Sequence, residues 1–256
     1  MQKVTAYIIA YNEAEKIRAA IESVRWADEI IVADSWSADG TAEIAQEMGA
    51  RVIQIKFEGY GALRNKVIAE CSHDWIFSLD SDERCTPEVA NEITELINSE
   101  SSLNVYFVPR RNFFMGRWIK HSGWFPNYRQ PQLFRKAAMQ YGLQPVHEGY
   151  VLTPEQPIGH LRNAIWQYPF KDMSQVIWKM DRYSTLGVKR LEGKKISMWL
   201  AVGHASWSFL KHYFFKLGIL DGQAGFVIAF GNFEGTFYRY VKALELQEKS
   251  RWTPPQ

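Results

Sequence analysis

The sequence predicts an α/β fold: a mainly parallel sheet flanked by helices, followed by a helical, aromatic-rich C-terminal region. Three observations predict it. Short apolar runs alternate with segments of helical spacing through the first hundred residues. The runs are continuously apolar, as strands covered on both faces are. Three of them end in polar clusters, where an open sheet of this kind presents its ligand site.

Residues 4–10 form the first apolar, β-rich run, closed by Tyr11-Asn12-Glu13. Ile17, Ala20, Ile21 and Val24 then recur at helical spacing. The second strand, 29–33, runs into Asp34 and a turn-rich stretch through Asp39, Gly40 and Thr41. A helix follows to Met48, with Gly49 as its stop signal. Residues 51–55 read as the third strand and 62–69 as a helix. The fourth strand, 75–79, stops in Asp80-Ser81-Asp82-Glu83. Thr86 caps the next helix, Pro87 takes its first position and Glu88 makes its first turn acidic. Strands and helices alternating in this rhythm imply right-handed crossovers.

From residue 169 to about 192 the pattern is helical again, with Met173, Val176, Ile177, Met180 and Tyr183 on one face. Gly193-Lys194-Lys195 ends it. Residues 199–233 are rich in large apolar side chains but interrupted by His204, Lys211, His212, Lys216 and Asp221. No apolar run reaches membrane-spanning length, so no transmembrane helix is predicted. Trp207, Leu210, Phe214 and Leu217 recur at helical spacing with Lys211, His212 and Lys216 nearby. That suits a helix lying in an anionic bilayer interface; a core-packing or dimer helix is the alternative. The division expected is 1–165 for the sheet domain and 166–256 for the helical region.

Composition narrows the function classes. Across 256 residues, 46% are hydrophobic, 23% charged and the net charge is +2, which lacks the basic excess of a nucleic-acid binder. No nucleic-acid partner is expected. Cys71 and Cys85 have no metal-type spacing and suggest reduced thiols in a cytosolic setting. The N-terminal residues show no charged leader with an apolar core, so secretion is not predicted. No Gly-x-Gly-x-x-Gly follows the first strand and no Gly-Lys-Ser/Thr loop occurs, which removes the main support for dinucleotide dehydrogenases and P-loop NTPases.

The most informative motif is Asp80-x-Asp82, two carboxylates at a strand end. Hard oxygen ligands at a sheet edge suit a divalent cation, Mg2+ or Mn2+, bridged to a phosphate. The plain alternative is a solvated acidic turn, with Glu83 as one more surface charge. Asn12 and Glu13 have a plain alternative as helix caps, and Asp34 and Asp39 as turn residues. Arg64 and Lys66, after Gly59-Tyr60-Gly61, are candidates for phosphate contact or for a solvated helix face.

Taken together, Ile8-Ile9-Ala10-Tyr11-Asn12-Glu13, Val32-Ala33-Asp34-Ser35-x-Ser37-x-Asp39-Gly40-Thr41 and Leu79-Asp80-Ser81-Asp82-Glu83 resemble family 2 glycosyltransferases of the GT-A fold, a Rossmann-like architecture. Further strings narrow the resemblance: 109–118, Gly123-Trp124, 131–135, Val146-His147-Glu148 and the Leu220-Asp221-Gly222-x-x-Gly225-Phe226 stretch. They are similar to the bacterial lipopolysaccharide-core and lipooligosaccharide glucosyltransferase branch. Trp36 stands where the family has a small residue, and the Glu-Asp catalytic pair of many members is absent.

The resemblance implies roles. Tyr11, Glu13 and Asp34 would surround the nucleoside of a nucleotide-sugar donor, with uridine favoured. Asp80 and Asp82, with His147, would hold the metal against the diphosphate. Glu148 would be the base for the acceptor hydroxyl, with Asp82 or Glu83 as other candidates. Family 2 chemistry implies one direct, inverting displacement of a hexose, glucose by resemblance, onto a lipid-linked saccharide. Arg110, Arg111, Arg117, Lys120, Arg129 and Arg135, interleaved with aromatics from Phe113 to Phe125, would form the acceptor surface. The implied location is cytoplasmic, peripheral on the cytosolic face of the inner membrane, against an anionic membrane surface. A sugar nucleotidyltransferase is the rival enzyme, but it needs a glycine-rich activating loop where Tyr11-Asn12-Glu13 stands. A non-catalytic nucleotide-sugar or lipid-binding module is the rival of another class.

Overall fold

The computed structural model describes residues 1–100, 103–143 and 149–249. In chain order the first half contains β1 (Val4–Ala10), α1 (Ala14–Ser23), β2 (Glu29–Asp34), α2 (Thr41–Glu47), β3 (Arg51–Gln54), α3 (Tyr60–Glu70), β4 (Trp75–Asp80), β5 (Glu83–Arg84) and α4 (Pro87–Ile97). Short strands follow: β6 (Val105–Phe107), β7 (Arg110–Phe114), β8 (Arg117–Trp118), β9 (Leu133–Arg135), β10 (Met139–Tyr141), β11 (Tyr150–Leu152), β12 (Gly159–His160) and β13 (Ile165–Gln167). The helices α5 (Met173–Gly187), α6 (Met198–Leu210) and α7 (Gly222–Lys249) complete the described chain. Two compact units result: residues 1–111 with 126–167, and residues 112–125 with the chain from 168 onward.

In the first unit a seven-stranded sheet runs in the order β12-β6-β9-β4-β1-β2-β3. β4, β1, β2 and β3 are mutually parallel, as the alternation of strands and helices requires. β9 enters antiparallel between β4 and β6, so the sheet is mixed at that side. The register sets the geometry of the site: Ala10 lies opposite Asp34 on one side of β1, and Ile9 opposite Asp80 on the other. With neighbouring strands about 4.8 Å apart, those two carboxylates flank one strand end.

Both sheet faces are covered, which explains the continuous apolar runs. Val4, Ala6 and Ile8 pack with Ile17, Ile21, Val89 and Ile93 of α1 and α4. Tyr7 and Ile9 point the other way, toward Leu63, Val67 and Ile68 of α3. The predicted punctuation is in place. Thr86 accepts a hydrogen bond from the Val89 N–H at the start of α4, and Gly49, at φ +85°, follows α2 in the left-handed conformation that favours glycine. Cys71 and Cys85 are buried free thiols, and burial pushes both up to about 12.

The second unit has smaller cores. Phe114, Ile119, Ala224 and Ile228 form one, Leu191, Ile196 and Ala243 another. The apolar face expected on α5 is only partly covered: Val176 packs on the first of these cores, while Met173, Ile177 and Tyr183 are exposed. Trp207, Leu210, Phe214 and Leu217 are all exposed as well.

Candidate active site

The loops after β1 and β2 are tied together at the carboxyl end of the sheet. Ser37 Oγ accepts from the Asn12 N–H at 2.8 Å, and Asn12 Oδ1 accepts from the Ala38 N–H at 2.9 Å. Asp39 accepts from the Ala14 N–H at 3.0 Å, and Thr41 Oγ1 from the Glu13 N–H at 2.9 Å. Asn12 and Trp36 both adopt positive φ, +54° and +63°, which non-glycine residues seldom do outside functional turns. Tyr11 projects into solvent, and Glu13, half-buried, pairs with Lys16 at 3.2 Å.

Asp34 lies at this edge as expected, but its carboxylate is enclosed. It accepts from the Ser37 N–H at 2.9 Å and from Ser37 Oγ, and none of it is exposed. Its work in this geometry is to set the loop. What the two loops do present is aromatic: Tyr11, and Trp36 at 67% exposure. Phe57, in the turn after β3, and Tyr60, the first residue of α3, add an exposed edge-to-face pair 5.0 Å apart. Phe57 and Tyr60 were not singled out in the sequence, because an isolated aromatic in a turn carries no pattern.

Arg64 has a different place from the phosphate contact expected of it. Its guanidinium is buried, donating to Asp80 Oδ1 at 2.6 Å and to Ser78 Oγ at 2.9 Å, and it lies over the Tyr141 ring. Burial alone would raise the Asp80 pKa, but Arg64, helped by Arg110, holds it below the ordinary carboxylate range. Asp80 is therefore ionised and aimed. Lys66 pairs with Glu58 at 2.7 Å on an exposed helix face, the plainer of its two readings.

Glu83 is neither a surface charge nor a free base. It is wholly buried, accepting from Arg110 Nε at 2.5 Å, from Gln132 Nε2 at 2.8 Å and from the Asp80 N–H at 3.0 Å. This clamp fixes the turn that carries Asp80 and Asp82. It also takes Arg110 out of the expected acceptor surface. Arg135 is withdrawn too, pairing with Asp74 at 2.5 Å and stacking on Trp75. Two members of the arginine-aromatic string from Arg110 to Arg135 are thus engaged within the first unit. The string's members divide between the two units, with Phe113 stacked on Tyr168 and Lys120 over Trp118 in the second.

Asp82 stands apart from these compensated charges. Burial, then Asp80, then Glu83 push its carboxyl up to about 7. Its hydrogen-bond partner is Gln167 Nε2, at 3.3 and 3.4 Å, brought there because β13 pairs with β5. Gln132 Oε1 and Gln167 Oε1 are buried without a partner among the described residues, the kind of unused capacity a polar ligand takes up. The donor set fits a hard divalent cation: two carboxylates at a partly open edge, with negative charge in excess. Among the described residues no three His, Cys, Asp or Glu converge as a closed cage. Mg2+-like ions are ordinarily held by one or two carboxylates plus substrate phosphates. His147 and Glu148 lie outside the described residues.

A loop-tied parallel edge ending in Asp-x-Asp is a motif many enzymes share, so the comparison with known proteins decides. The glycosyl transferase family 2 model matches residues 5–154. The chain belongs to glycosyl transferase family 2. The transferase is 30% identical over 262 residues to a glycosyltransferase of Rickettsia typhi, covering 98% of this chain and 90% of that one. It is 28% identical over 258 residues to the lipopolysaccharide core biosynthesis glycosyltransferase LpsC of Rhizobium meliloti, covering 96% and 92%. The crystal structure of S. aureus TarS 1–349 aligns with 99% of this chain and 93% of its own, at a TM-score of 0.51 and 15% identity, a likeness of fold. The GT-A-type α/β architecture and the glycosyltransferase activity expected from the sequence both stand.

Proposed function

We propose that this glycosyltransferase moves a hexose, glucose by resemblance, from a uridine-diphosphate donor to a lipid-linked saccharide with inversion. The observation that carries the reading is the pair Asp80 and Asp82 at the carboxyl edge of the sheet, one held ionised by Arg64 and one pushed up to about 7 by burial and its carboxylate neighbours. The similarity to LpsC supports an acceptor of the lipopolysaccharide core type.

Each residue then has a physical task. Tyr11 and Trp36 offer faces on which a nucleobase stacks, and Glu13 lies within the same loop pair for the ribose. Asp80 and Asp82 would hold Mg2+ or Mn2+, with His147 as a further ligand. The ion, when bound, offsets the charge that grows on the leaving diphosphate. Arg64 and the Glu83–Arg110 clamp keep Asp80 in place without touching substrate. Glu148 takes the proton of the acceptor hydroxyl as that oxygen attacks the anomeric carbon, and the bond to the diphosphate breaks in the same displacement. No covalent enzyme intermediate is needed. The work is done at the cytosolic face of the inner membrane, where a lipid-linked acceptor is reached from the cytoplasm.

A thermal-shift screen of nucleotide sugars with and without Mn2+ tests this. UDP-hexoses are expected to raise the melting temperature only when Mn2+ is present, by an amount corresponding to about 2.7 kcal/mol at a hundredfold excess over Kd. Equal stabilisation in EDTA, or a shift with purine nucleotide sugars alone, would contradict it.

A further inference from the structure

The helices of the second unit are apolar on the wrong side for water. α6 buries only Ala201 and Ala205, one turn apart, and leaves Trp199, Leu200, Val202, Trp207 and Leu210 exposed. α7, on which it packs, buries Ala224, Gly225, Ala229 and Ala243 with a single large apolar side chain, Ile228. A water-facing amphipathic helix does the reverse, burying its large apolar side chains. Small residues at the helix contact with large apolar ones outside is how helices pack when lipid surrounds them.

The exposed apolar surface continues past α6. A π-helical turn covers Lys211–Phe215, and Phe214, Phe215, Leu217, Ile219 and Leu220 are all exposed in it and in the bend that follows. Trp199 is 85% exposed and Phe215 71%, more than isolated surface aromatics need. The bend itself is held. Asp221 is buried there, accepting from the Lys120 and His121 N–H groups at 3.2 and 3.1 Å and from Ser122 Oγ at 3.0 Å. Gly225 lies so close to the Gly218 carbonyl that a Cβ would come within 1.8 Å of it.

Charge decides what covers this face. From Gly193 to Leu220 there is no acidic residue, and Lys194, Lys195, Lys211 and Lys216 are all cationic. A symmetric contact with a second copy would set these lysines against their own counterparts with no carboxylate between them. Anionic headgroups supply the missing charge, at about 1 kcal/mol per lysine near the surface. Among the described residues no single helix is long and apolar enough to cross a membrane; residues 198–215 and 218–249 reach that length and apolarity only as a pair bent by 70°. A pair bent that sharply, with lysines beside its exposed apolar side chains, suits the headgroup–acyl boundary of one leaflet.

We propose that α6, the turn after it and the bend before α7 form a wedge that docks on an anionic phospholipid surface. The aromatic side chains enter the interface, and the lysines meet lipid phosphates. This deepens the reading of a lipid-linked acceptor, but vesicles that contain no saccharide test the surface apart from the transfer reaction.

The full-length protein is mixed with vesicles of phosphatidylcholine alone or with phosphatidylglycerol added, and the bound fraction is read by sedimentation. Binding is expected to be at least about tenfold stronger with phosphatidylglycerol, given several lysines at the surface. Lys211→Gln with Lys216→Gln should erode that preference, and Trp207→Ser with Phe215→Ser should weaken binding to both about tenfold or more. Because all four side chains lie outside the cores, circular dichroism of the variants should match the parent. A parent that stays in the supernatant with both vesicles overturns the proposal, as does a Trp207→Ser, Phe215→Ser variant that binds like the parent. A stable dimer in light scattering that Phe215→Ser converts to monomer, without vesicle binding, assigns the face to a second copy instead.

Discussion

In the first unit the large apolar side chains of the sheet are inside, an aromatic rim of Tyr11, Trp36, Phe57 and Tyr60 stands at its edge, and charges are buried among the apolar groups: Glu83, Arg110 and Arg64. In the second unit the exceptions are apolar, with Trp199, Trp207 and Phe215 turned outward while α6 buries only Ala201 and Ala205. Burying a charge costs several kcal/mol unless a partner compensates it, and in the first unit partners are present at 2.5–2.6 Å. Exposing a cluster of large apolar groups is also unfavourable in water, and in the second unit none of the described residues covers them. Buried charge here marks a site being held in shape, and uncovered apolar surface marks a site where something docks.

The strongest way to break this contrast is to cut the clamp. Glu83→Ala or Arg110→Met leaves a buried charge alone and is expected to destabilise the fold by roughly 3–5 kcal/mol, read by urea denaturation. Exposed positions such as Phe215→Ser should change stability by less than about 0.5 kcal/mol. If the two kinds of variant unfold alike, the distinction between the regions is wrong.

A smaller effect concerns Asp82. Its native pKa, about 7, is above its ordinary value, so the metal-free native state holds this proton more tightly than the unfolded chain does. That contribution to stability is complete below the ordinary carboxylate range and is lost as pH rises through about 7. Mn2+ competes with the proton, so its apparent affinity should rise about tenfold per pH unit up to that point and then level off. Titration calorimetry in two buffers of different ionisation enthalpy should detect proton release below it. A pH-independent Mn2+ affinity would remove Asp82 from the ligand set.

Smallest of all is the stacking face. Trp36→Asn keeps a residue that tolerates positive φ but removes the indole, and should weaken uridine nucleotide binding by about 1 kcal/mol, roughly fivefold, with the melting temperature unchanged. A parallel loss of stability would mean that Trp36 serves the loop and not the ligand.

Much of the first unit was legible in the sequence for physical reasons. Strands 4–10, 29–34 and 75–80 are covered on both faces, so they stand out as unbroken apolar runs, and Thr86-Pro87 and Gly49 mark boundaries through their own backbone chemistry. β9 and β13 were not legible, because three-residue strands have no period to detect. The clamp was hidden by separation: Glu83 and Arg110 stand 27 residues apart, and only the placement of β5 and β7 brings them together. Asp34 misled in the opposite way, since Ser37 three residues on takes its carboxylate. For α6 the sequence could not say which face was covered. Apolar content is the same in a core helix and an interfacial one, and only the burial of Ala201 and Ala205 separates them.

The most direct test of the account is turnover of a UDP-hexose by the parent and by Asp82→Asn, measured as UDP release with a lipid-linked saccharide acceptor at several Mn2+ concentrations. Several kcal/mol of leaving-group stabilisation should vanish with the carboxylate, so turnover is expected to fall by on the order of a thousandfold and to lose its Mn2+ dependence. A variant with parental turnover and parental Mn2+ dependence would contradict the assignment of Asp80-x-Asp82 to the leaving diphosphate.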